Sequence, residues 1–269
     1  MQPAVNIALR AARKAGDIIV QASERVDLIH VKEKERNDFV TNIDHASEEE
    51  IISQLKRAFP DDHILGEESG LIKGDNPDAE TTWFIDPLDG TTNFVRGIPH
   101  YAISIAAVKN DRVEHAVVYD PVRREEFIAS RGRGASVNGK RIRVTNQKEF
   151  SGALIGTGIP YRASQQPFMQ DYLKCVEHFA ANGSGIRRAG SAALDLAYVA
   201  AGRLDAFWEY SLRPWDVAAG ILLITEAGGL VSDFKGGETH LETGNIVCGS
   251  PKLFKELLRV VNQNLGSLT

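Results

Sequence analysis

The chain has 269 residues, of which 43% are hydrophobic and 25% charged, and its formal net charge is −5. This length fits one large domain or two packed subdomains, and the acidic balance disfavours a nucleic-acid binder, which would usually be basic. Only two cysteines are present, Cys175 and Cys248, and neither belongs to a metal-type cluster. We therefore expect a reducing compartment and no disulfide framework.

Two helices are predicted at the start of the chain. The first is amphipathic and runs from about Pro3 to Ala22, and the charges within its apolar pattern exclude a signal peptide. The second begins near Asp44 and ends before Pro60, with acidic residues in its first turns, where the helix dipole favours them. No apolar run approaches the ~20 residues needed to span a bilayer, so we expect a cytoplasmic protein without a membrane contact.

A set of short strands is predicted next. They are "HILGEES", "TTWFIDPL", "YAISIAAV", "RVEHAVVYD" and "EEFIASRG", followed by a hairpin in "SVNGKRIRV" with Asn138 and Gly139 at its tip. The first half of the chain is therefore expected to be two helices and a sheet.

The second half of the chain alternates strands with helices. The predicted strands are "GALIGTGIP", "RLDAFWE", "LVSDF" and "NIVCG", and the predicted helices are residues 167–181, residues 191–201, "WDVAAGILLITEAGG" and a last helix from Pro251 to about Leu265. This alternation predicts a layered α/β architecture. A soft boundary near residues 144–152 suggests an N-terminal α+β subdomain (1–146) and a C-terminal α/β subdomain (147–269) in one compact unit.

The stretch "WFIDPLDGTTNF" places two carboxylates at the end of a hydrophobic strand. Asp86 ends the apolar run, Pro87 fixes the backbone direction, and Asp89 follows three residues after Asp86. Carboxylates held close together repel, so that one retains a proton unless a cation lies between them. An oxygen-only ligand set without nearby His or Cys favours a hard ion such as Mg²⁺, and the Leu88 carbonyl is a further oxygen ligand.

Gly90, Thr91 and Thr92 add a candidate anion site beside the carboxylates. Glycine permits close approach of the backbone to a ligand, and a helix beginning here would direct its free N–H groups at a phosphate. The alternative is an ordinary loop in which Asp and Gly form turns. Other acidic positions at strand ends and helix starts favour the site. They are Glu67 and Glu68 in "GEESG", Asp44, Glu209 and Asp216, whose separate alternatives are an acidic turn for the glutamate pair and helix capping for Asp44 and Asp216.

The segments "GEES", "WFIDPLDGTTNF" and "WDVAAGILLITEAGG" resemble the inositol monophosphatase family over nearly the whole chain. "GSAALDLAYVAAGR" and the C-terminal "TGNIV" are similar to a bacterial subgroup of that family. The resemblance implies a layered αβαβα sandwich and a metal-dependent phosphomonoesterase. Such an enzyme hydrolyses inositol monophosphate and similar polyol phosphates with a metal-activated water.

The resemblance also implies roles for individual residues. The metal ligands for two or three Mg²⁺ would be Glu67, Asp86, the Leu88 carbonyl, Asp89 and Asp216. The substrate-binding residues would be Asp89, Gly90, Thr91, Ala192, Glu209 and Asp216, and the catalytic residues Glu67, Thr91 and Asp44. A family lysine upstream of Asp44 matches Lys34 or Lys32.

Three alternatives stay open on the residues. An aspartyl-phosphate mechanism usually has a second Asp two residues after the nucleophile, whereas Asp86 and Asp89 are three apart, which favours metal-bound water. The substrate would alternatively be histidinol phosphate, fructose-1,6-bisphosphate or another small ester. Finally, the resembling subgroup is associated with transcription antitermination complexes on RNA polymerase. A basic segment between Arg123 and Arg143 and the pair Arg187–Arg188 offer partner surfaces for such a role, with solvated loops as the alternative. The family also implies a homodimer and sensitivity to lithium.

Overall fold

The computed structural model describes residues 2–25, 30–35, 38–160 and 162–268, except for the side chains of residues 33–35, 38, 39, 163 and 164. Within these ranges the helices are α1 (Pro3–Ser23), α2 (Asn42–Ala58), α3 (Thr91–Val95), α4 (Met169–Ala181), α5 (Ala192–Ala200), α6 (Pro214–Glu226), α7 (His240–Thr243) and α8 (Pro251–Leu265). A 3₁₀ helix, Ala163–Phe168, leads directly into α4.

The strands of the first half are β1 (Val31–Glu35), β2 (Asp38–Thr41), β3 (His63–Gly66), β4 (Gly70–Ile72), β5 (Thr81–Asp89), β6 (Ala102–Lys109), β7 (Arg112–Asp120), β8 (Glu125–Ser130), β9 (Gly134–Val137) and β10 (Lys140–Arg141). Those of the second half are β11 (Leu154–Thr157), β12 (Gly185–Arg187), β13 (Ala206–Glu209), β14 (Leu230–Ser232) and β15 (Ile246–Gly249).

These described strands form two sheets and a ribbon. The larger sheet has eight strands in the order β10-β9-β8-β7-β6-β5-β3-β4, and the smaller has five in the order β12-β11-β13-β15-β14. Strands β1 and β2 pair with each other as an antiparallel ribbon. Most neighbours are antiparallel, whereas β3 and β5 are parallel, as are β11 and both of its neighbours.

Helices and sheets alternate in five layers. Helices α1 and α2 cover one face of the larger sheet, α5 and α6 lie between the two sheets, and α4 and α8 cover the outer face of the smaller sheet. The strands of the larger sheet are therefore buried on both faces: in β5, Trp83 and Ile85 join the core under α1 and α2, while Phe84 packs on the core of α5 and α6. The predicted αβαβα sandwich is confirmed.

The sequence missed several elements. The sequence predicted no element for the strands β1 and β2, which pair as a ribbon, nor for Gly185–Arg187, which forms the short edge strand β12. Both are stabilised by backbone pairing, which hydrophobic periodicity does not report. The predicted hairpin at Asn138 and Gly139 is confirmed, because both residues have positive φ, 48° and 76°, as a two-residue turn between β9 and β10 requires.

Candidate active site

A cavity of about 390 Å³ lies where the end of β5 meets the starts of α5 and α6. Its walls include these predicted residues: Glu67, Asp86, Leu88, Asp89, Gly90, Thr91, Ala192, Glu209 and Asp216. The structure thus brings together side chains that are as much as 149 positions apart in the chain, Glu67 and Asp216. Asp44 does not line the cavity and lies behind Thr91.

A β-bulge turns Asp86 and Asp89 toward the same cavity. Asp86 pairs with Ser104 and Asp89 with Ala102, so that β5 contains one residue more than β6 between these two pairs. Residues three apart on a regular strand point to opposite faces, but the extra residue brings both carboxylates to one side. Pro87 lies in the bulge, where its lack of a backbone N–H costs no ladder hydrogen bond.

Asp216 is fixed beside this bulge by the start of α6. The Ser104 hydroxyl is buried and donates to the Trp215 carbonyl at 2.9 Å, and Ser104 is the register partner of Asp86. The Asp216 carboxylate accepts a hydrogen bond from the Arg213 N–H at 2.7 Å and so caps the helix as well. The capping role that the sequence allowed for Asp216 therefore coexists with its place in the cavity wall.

Asp89 connects β5 to the start of α5. Its Oδ2 accepts hydrogen bonds from the Ser191 hydroxyl at 2.5 Å and from the Ala193 N–H at 2.7 Å. Ser191 is the N-cap of α5 and places Ala192, a predicted substrate contact, on the cavity wall. The position of Ser191 before a helix is an N-cap signal that the sequence carried, but its bond to Asp89 depends on the tertiary fold.

Burial and mutual repulsion perturb these carboxyl groups. Burial, followed by the charges of Glu67, Asp89 and Asp216, raises the pKa of Asp86 well above its usual range. Burial and then the charges of Asp89 and Glu67 likewise raise the pKa of Asp216. Burial raises the pKa of Asp89 to about 6, although hydrogen bonds from Ser191 and Ala193 oppose the shift. Four carboxyl groups thus interact in one place, as the sequence predicted for the two in β5.

The donor chemistry of this cluster fits a hard divalent cation. Hydrogen bonds from the protein engage Oδ1 of Asp86 and Oδ2 of both Asp89 and Asp216, and all three residues also line the cavity. Over the described ranges, no three Asp, Glu, His or Cys side chains are already arranged as a group that could hold one ion. Since like charges repel, these carboxylates would have to draw closer around a cation. The ligand set stays a prediction.

The turn after Asp89 has the geometry of a close backbone approach. Gly90 has a φ of 101°, and a Cβ at this position would lie 3.1 Å from the His100 carbonyl oxygen and 3.2 Å from that of Gly190. Helix α3 begins at the next residue, Thr91, as the sequence proposed for this turn. Thr91 Oγ1 lies 2.9 Å from Asp44 Oδ1 and 3.0 Å from the Leu88 carbonyl oxygen.

Asp44 has a different local role from the N-cap that the sequence allowed. The N-cap of α2 is Thr41, whose backbone N–H donates to Asp44 Oδ2 at 2.9 Å, while Asp44 occupies the third position of the helix. Asp44 is 1% exposed. Its burial raises its pKa, opposed by hydrogen bonds from Thr41 and Thr91.

Glu209 is the last residue of β13, a strand of the smaller sheet, and it lines the cavity. A Cβ at Gly158 would lie 1.8 Å from Glu209 Oε1, so a glycine is required there by space. Burial raises the pKa of Glu209 to about 7, and the nearby charge of Arg188 opposes this shift.

Two further cavity residues were missed or assigned elsewhere. Asp195 is 3% exposed and lines the cavity, and burial followed by the charges of Glu209 and Asp89 raises its pKa well above the usual range. Asp195 lies in the mostly apolar helix α5, and its charge was the only sign in the sequence of a place in a site. Arg188, expected on a partner surface, lines the cavity beside Glu209. Lys32 is exposed, and the side chain of Lys34 lies outside the described residues, so the family lysine stays a prediction.

Acidic side chains neutralise part of the positive charge of the basic segment between Arg123 and Arg143. Arg123 pairs with the buried carboxylate of Asp120 at 2.9 Å, and Arg131 pairs with Glu114 at 3.1 Å.

Within the described residues no helix is long and apolar enough to cross a membrane. Cys175 and Cys248 are both buried and free.

Comparison with known proteins places this five-layer fold in a family of phosphatases. Residues 1–265 match the inositol monophosphatase family. The Nus factor SuhB of Pseudomonas aeruginosa is 55% identical over 265 residues, which are 98% of each chain.

Solved structures agree with this relation. The extragenic suppressor protein suhB from Bartonella henselae superposes with a TM-score of 0.93 at 40% identity, covering 98% of this chain and 100% of that one. An inositol monophosphatase from Anabaena has a TM-score of 0.84 at 36% identity, over 98% and 97% of the two chains. The chain therefore belongs to the inositol monophosphatase family, and its similarity to SuhB proteins confirms the bacterial subgroup.

Proposed function

We propose that the protein is a Mg²⁺-dependent phosphomonoesterase that hydrolyses inositol monophosphate and similar polyol phosphates. The observation that carries this proposal is the convergence of Glu67, Asp86, Asp89 and Asp216 on one cavity, where burial and then the neighbouring charges raise the pKa of Asp86 and Asp216. Asp86 is buried and the other three are half-buried, and a set of interacting carboxylates with oxygen donors alone is the ligand chemistry of Mg²⁺.

Two groups of ligands are proposed around this cluster. The first ion would be held by Glu67, Asp86 and the Leu88 carbonyl. The second would be held by Asp86, Asp89 and Asp216. Glu67 would also contact a third ion, which binds more weakly. Bound ions would neutralise the charge of the phosphate ester and of its leaving oxygen and would lower the pKa of a coordinated water.

The protein's own groups would orient the attack. Thr91 Oγ1 donates its hydrogen bond to Asp44 when that carboxyl is ionised, which leaves the oxygen lone pairs of Thr91 free to accept a hydrogen bond from a water in the cavity. The bond to Asp44 thereby fixes the direction in which that water presents its own lone pair to phosphorus. Gly90 allows the phosphate to approach the backbone closely.

The alcohol part of the substrate would contact the second half of the chain. Glu209 and Asp89 are carboxylates that accept hydrogen bonds from hydroxyl groups, and Ala192 supplies a small wall between α5 and the cavity. A polyol with several hydroxyl groups suits this arrangement better than an apolar ester, because buried acceptors require donors.

A phosphate-ester panel assayed with and without Mg²⁺ tests this function. We expect inositol monophosphate or a related polyol phosphate to be hydrolysed fastest, with activity abolished by chelation. Faster hydrolysis of a nucleotide or of fructose-1,6-bisphosphate would overturn the choice of substrate. A phosphoenzyme trapped on Asp86 during turnover would overturn the water-attack mechanism.

A second role is proposed from the relatives named Nus factor SuhB. At 55% identity over nearly the whole chain, we propose that this protein also takes part in transcription antitermination through contacts with RNA polymerase or its factors. The homodimer, the lithium sensitivity and the cytoplasmic location stay predictions.

The Asp89→Asn variant separates the two roles. An asparagine retains an acceptor oxygen for Ser191 and Ala193 but loses the charge needed for a cation, so hydrolysis should fall by about 100-fold or more while the fold is kept. We expect the variant to recover transcription factors from a lysate as well as the unsubstituted protein. A pull-down at low salt in which neither protein recovers them would exclude the second role.

A further inference from the structure

One face of α2 contacts each of the three segments that form the acidic wall of the cavity. Asp44, Ser47 and Glu48 share this face because they are three or four residues apart on a helix, and their exposed fractions are 1%, 0% and 3%. Asp44 accepts a hydrogen bond from Thr91 in the turn after β5. The Ser47 hydroxyl donates to the Pro87 carbonyl in the bulge at 2.9 Å.

The third of these contacts concerns Glu67. Glu48 Oε1 accepts the backbone N–H of Glu68 at 3.0 Å. On the other side of Glu67, a Cβ at Gly66 would lie 2.3 Å from the same Glu48 Oε1. The Glu48 carboxylate therefore rests on the backbone that precedes Glu67 and binds the backbone that follows it.

This arrangement explains the glycine in "GEES". Gly66 does not have a positive φ, so its backbone conformation is available to other residues. A Cβ here would displace two side chains, because it would lie 2.3 Å from the Glu48 oxygen and 2.6 Å from the Ser69 hydroxyl. Gly66 at the end of β3 and the buried Glu48 of α2 therefore pack directly against each other.

We propose that Glu48 is a positioning residue, which holds the backbone of Glu67 so that its carboxylate stays in the acidic wall of the cavity. This inference rests on the proposed Mg²⁺-dependent function. Glu67 lies among carboxylates whose charges repel it, and its backbone N–H pairs with the Ile85 carbonyl at 3.1 Å. The hydrogen bond from the Glu68 N–H to Glu48 fixes the backbone on the other side of Glu67, which a cation site needs because ligand geometry must be held within about 0.5 Å.

Substitutions of Glu48 test the proposal. Glu48→Ala removes the acceptor, whereas Glu48→Gln keeps an oxygen at the same position and removes only the charge. Glu49→Ala is the matched control, because Glu49 is the exposed neighbour of Glu48 on α2. Two readouts are needed: Mg²⁺ affinity by calorimetry on the chelator-treated protein, and amide hydrogen exchange of Glu67 and Glu68.

We expect Glu48→Ala to weaken Mg²⁺ binding by about 10- to 100-fold and to speed exchange at Glu68. Glu48→Gln should restore both values to near those of the unsubstituted protein, and Glu49→Ala should change neither. The inference is wrong if Glu48→Ala leaves the exchange of Glu68 unchanged, or if it weakens Mg²⁺ binding no more than Glu49→Ala does.

A double-mutant cycle with Gly66→Ala provides a second test that does not depend on Glu48→Ala alone. The new methyl group should displace the Glu48 carboxylate and speed exchange at Glu68 in the native background. In the Glu48→Ala background the Ser69 hydroxyl still lies 2.6 Å from the place of the new Cβ, but the closer Glu48 oxygen is gone, so the same change should have a smaller further effect. Additive effects of the two substitutions would contradict the proposed contact.

The exchange readout requires no metal and separates this inference from the proposed function. If the unsubstituted protein binds no Mg²⁺ by calorimetry, the proposed function fails and the positioning role for a cation site fails with it. If the unsubstituted protein binds Mg²⁺ and hydrolyses the ester while the exchange of Glu68 does not respond to Glu48, only the positioning role fails.

Discussion

At the residue scale, the site depends on how the chain accommodates buried carboxyl groups. Asp86 and Asp89 are each supported by donors from the protein, the Leu88 N–H for the first and Ser191 with Ala193 for the second. These bonds stabilise the ionised form, yet burial still raises both pKa values. These hydrogen bonds alone therefore do not offset the cost of removing the two carboxylates from water. A bound proton or a cation must neutralise the remaining charge.

Thr91 gives the prediction that belongs to this scale. Thr91→Val keeps the shape of the side chain but removes the hydroxyl between Asp44 and the Leu88 carbonyl. We expect kcat to fall by about 100-fold with KM nearly unchanged, because the group would act on the attacking water and not on the alcohol part of the substrate. Steady-state kinetics on inositol monophosphate at saturating Mg²⁺ measure this split.

Thr91→Ser is the matched variant, since it retains the hydroxyl and loses only a methyl group. It should keep most of the activity. Equal losses in the Ser and Val variants would indicate that the methyl group packs the turn and that the hydroxyl does not orient the water.

At the element scale, the starts of three helices converge on the end of β5. Asp44 and Asp216 each occupy the third position of a helix, α2 and α6, and the first turn of α5 supplies the Ala193 N–H to Asp89. Helix starts carry unpaired N–H groups and a partial positive charge, so they favour nearby carboxylates. Both acidic residues thus cap their helices, while Asp216 also lines the cavity and Asp44 holds Thr91 from behind.

The bond from Ser104 to the Trp215 carbonyl tests whether the placement of α6 sets the site. Ser104→Ala should lower the free energy of unfolding by about 1 kcal/mol, because the half-buried Trp215 loses the donor to its carbonyl. It should also reduce kcat/KM by about tenfold, since Asp216 would no longer be held beside Asp86. Urea unfolding and the Mg²⁺ dependence of hydrolysis measure the two effects.

Thr225→Ala is the control at the other end of α6. Thr225 is exposed, and its hydroxyl donates to the Ile221 carbonyl at 2.8 Å, a bond of the same kind far from the cavity. It should leave kcat/KM unchanged. An equal loss of activity in both variants would indicate a general effect on the helix and not on the placement of Asp216.

At the scale of the whole molecule, the cavity links stability to pH. The pKa of Asp89 is raised from 3.8 to about 6 and that of Glu209 from 4.5 to about 7, in both cases mainly by burial. Between the unfolded and folded values the folded chain binds more protons than the unfolded chain. The stabilising contribution is therefore complete below the unfolded values and is lost as the pH rises through about 6 and about 7.

Thermal unfolding checks this relation. Without divalent ions, the midpoint temperature should fall between pH 5 and pH 8. Mg²⁺ should raise it more at pH 8 than at pH 5, because protons compete with the cation for the same carboxylates. An ion at 100 times its dissociation constant stabilises the folded state by about 2.7 kcal/mol.

Two comparisons make the thermal experiment specific. NaCl at the same ionic strength separates binding from screening. Glu209→Gln should flatten the part of the pH dependence near pH 7, since the amide does not ionise. A gain from Mg²⁺ that is equal at pH 5 and pH 8 would contradict the role of the raised carboxyl pKa values.

The sequence by itself determined the elements with strong local signals and the motif that marks the site. Helices such as α1 and α8 follow from apolar periodicity, and the motif of the site follows from an apolar run that ends in Asp86 and Asp89. These signals lie within one turn or one strand, so neighbouring residues are sufficient to reveal them. The ribbon of β1 and β2 lacked such a signal, because backbone pairing between charged strands leaves no periodic pattern.

Only the tertiary structure decided which distant groups share the cavity. Asp195 has no motif to mark it, Arg188 appeared to be a surface residue, and the contact of Glu48 with Gly66 and Glu68 joins α2 to the end of β3. Burial and the fields of neighbouring charges set the pKa of each carboxyl group, and both depend on distances in space that sequence spacing does not encode.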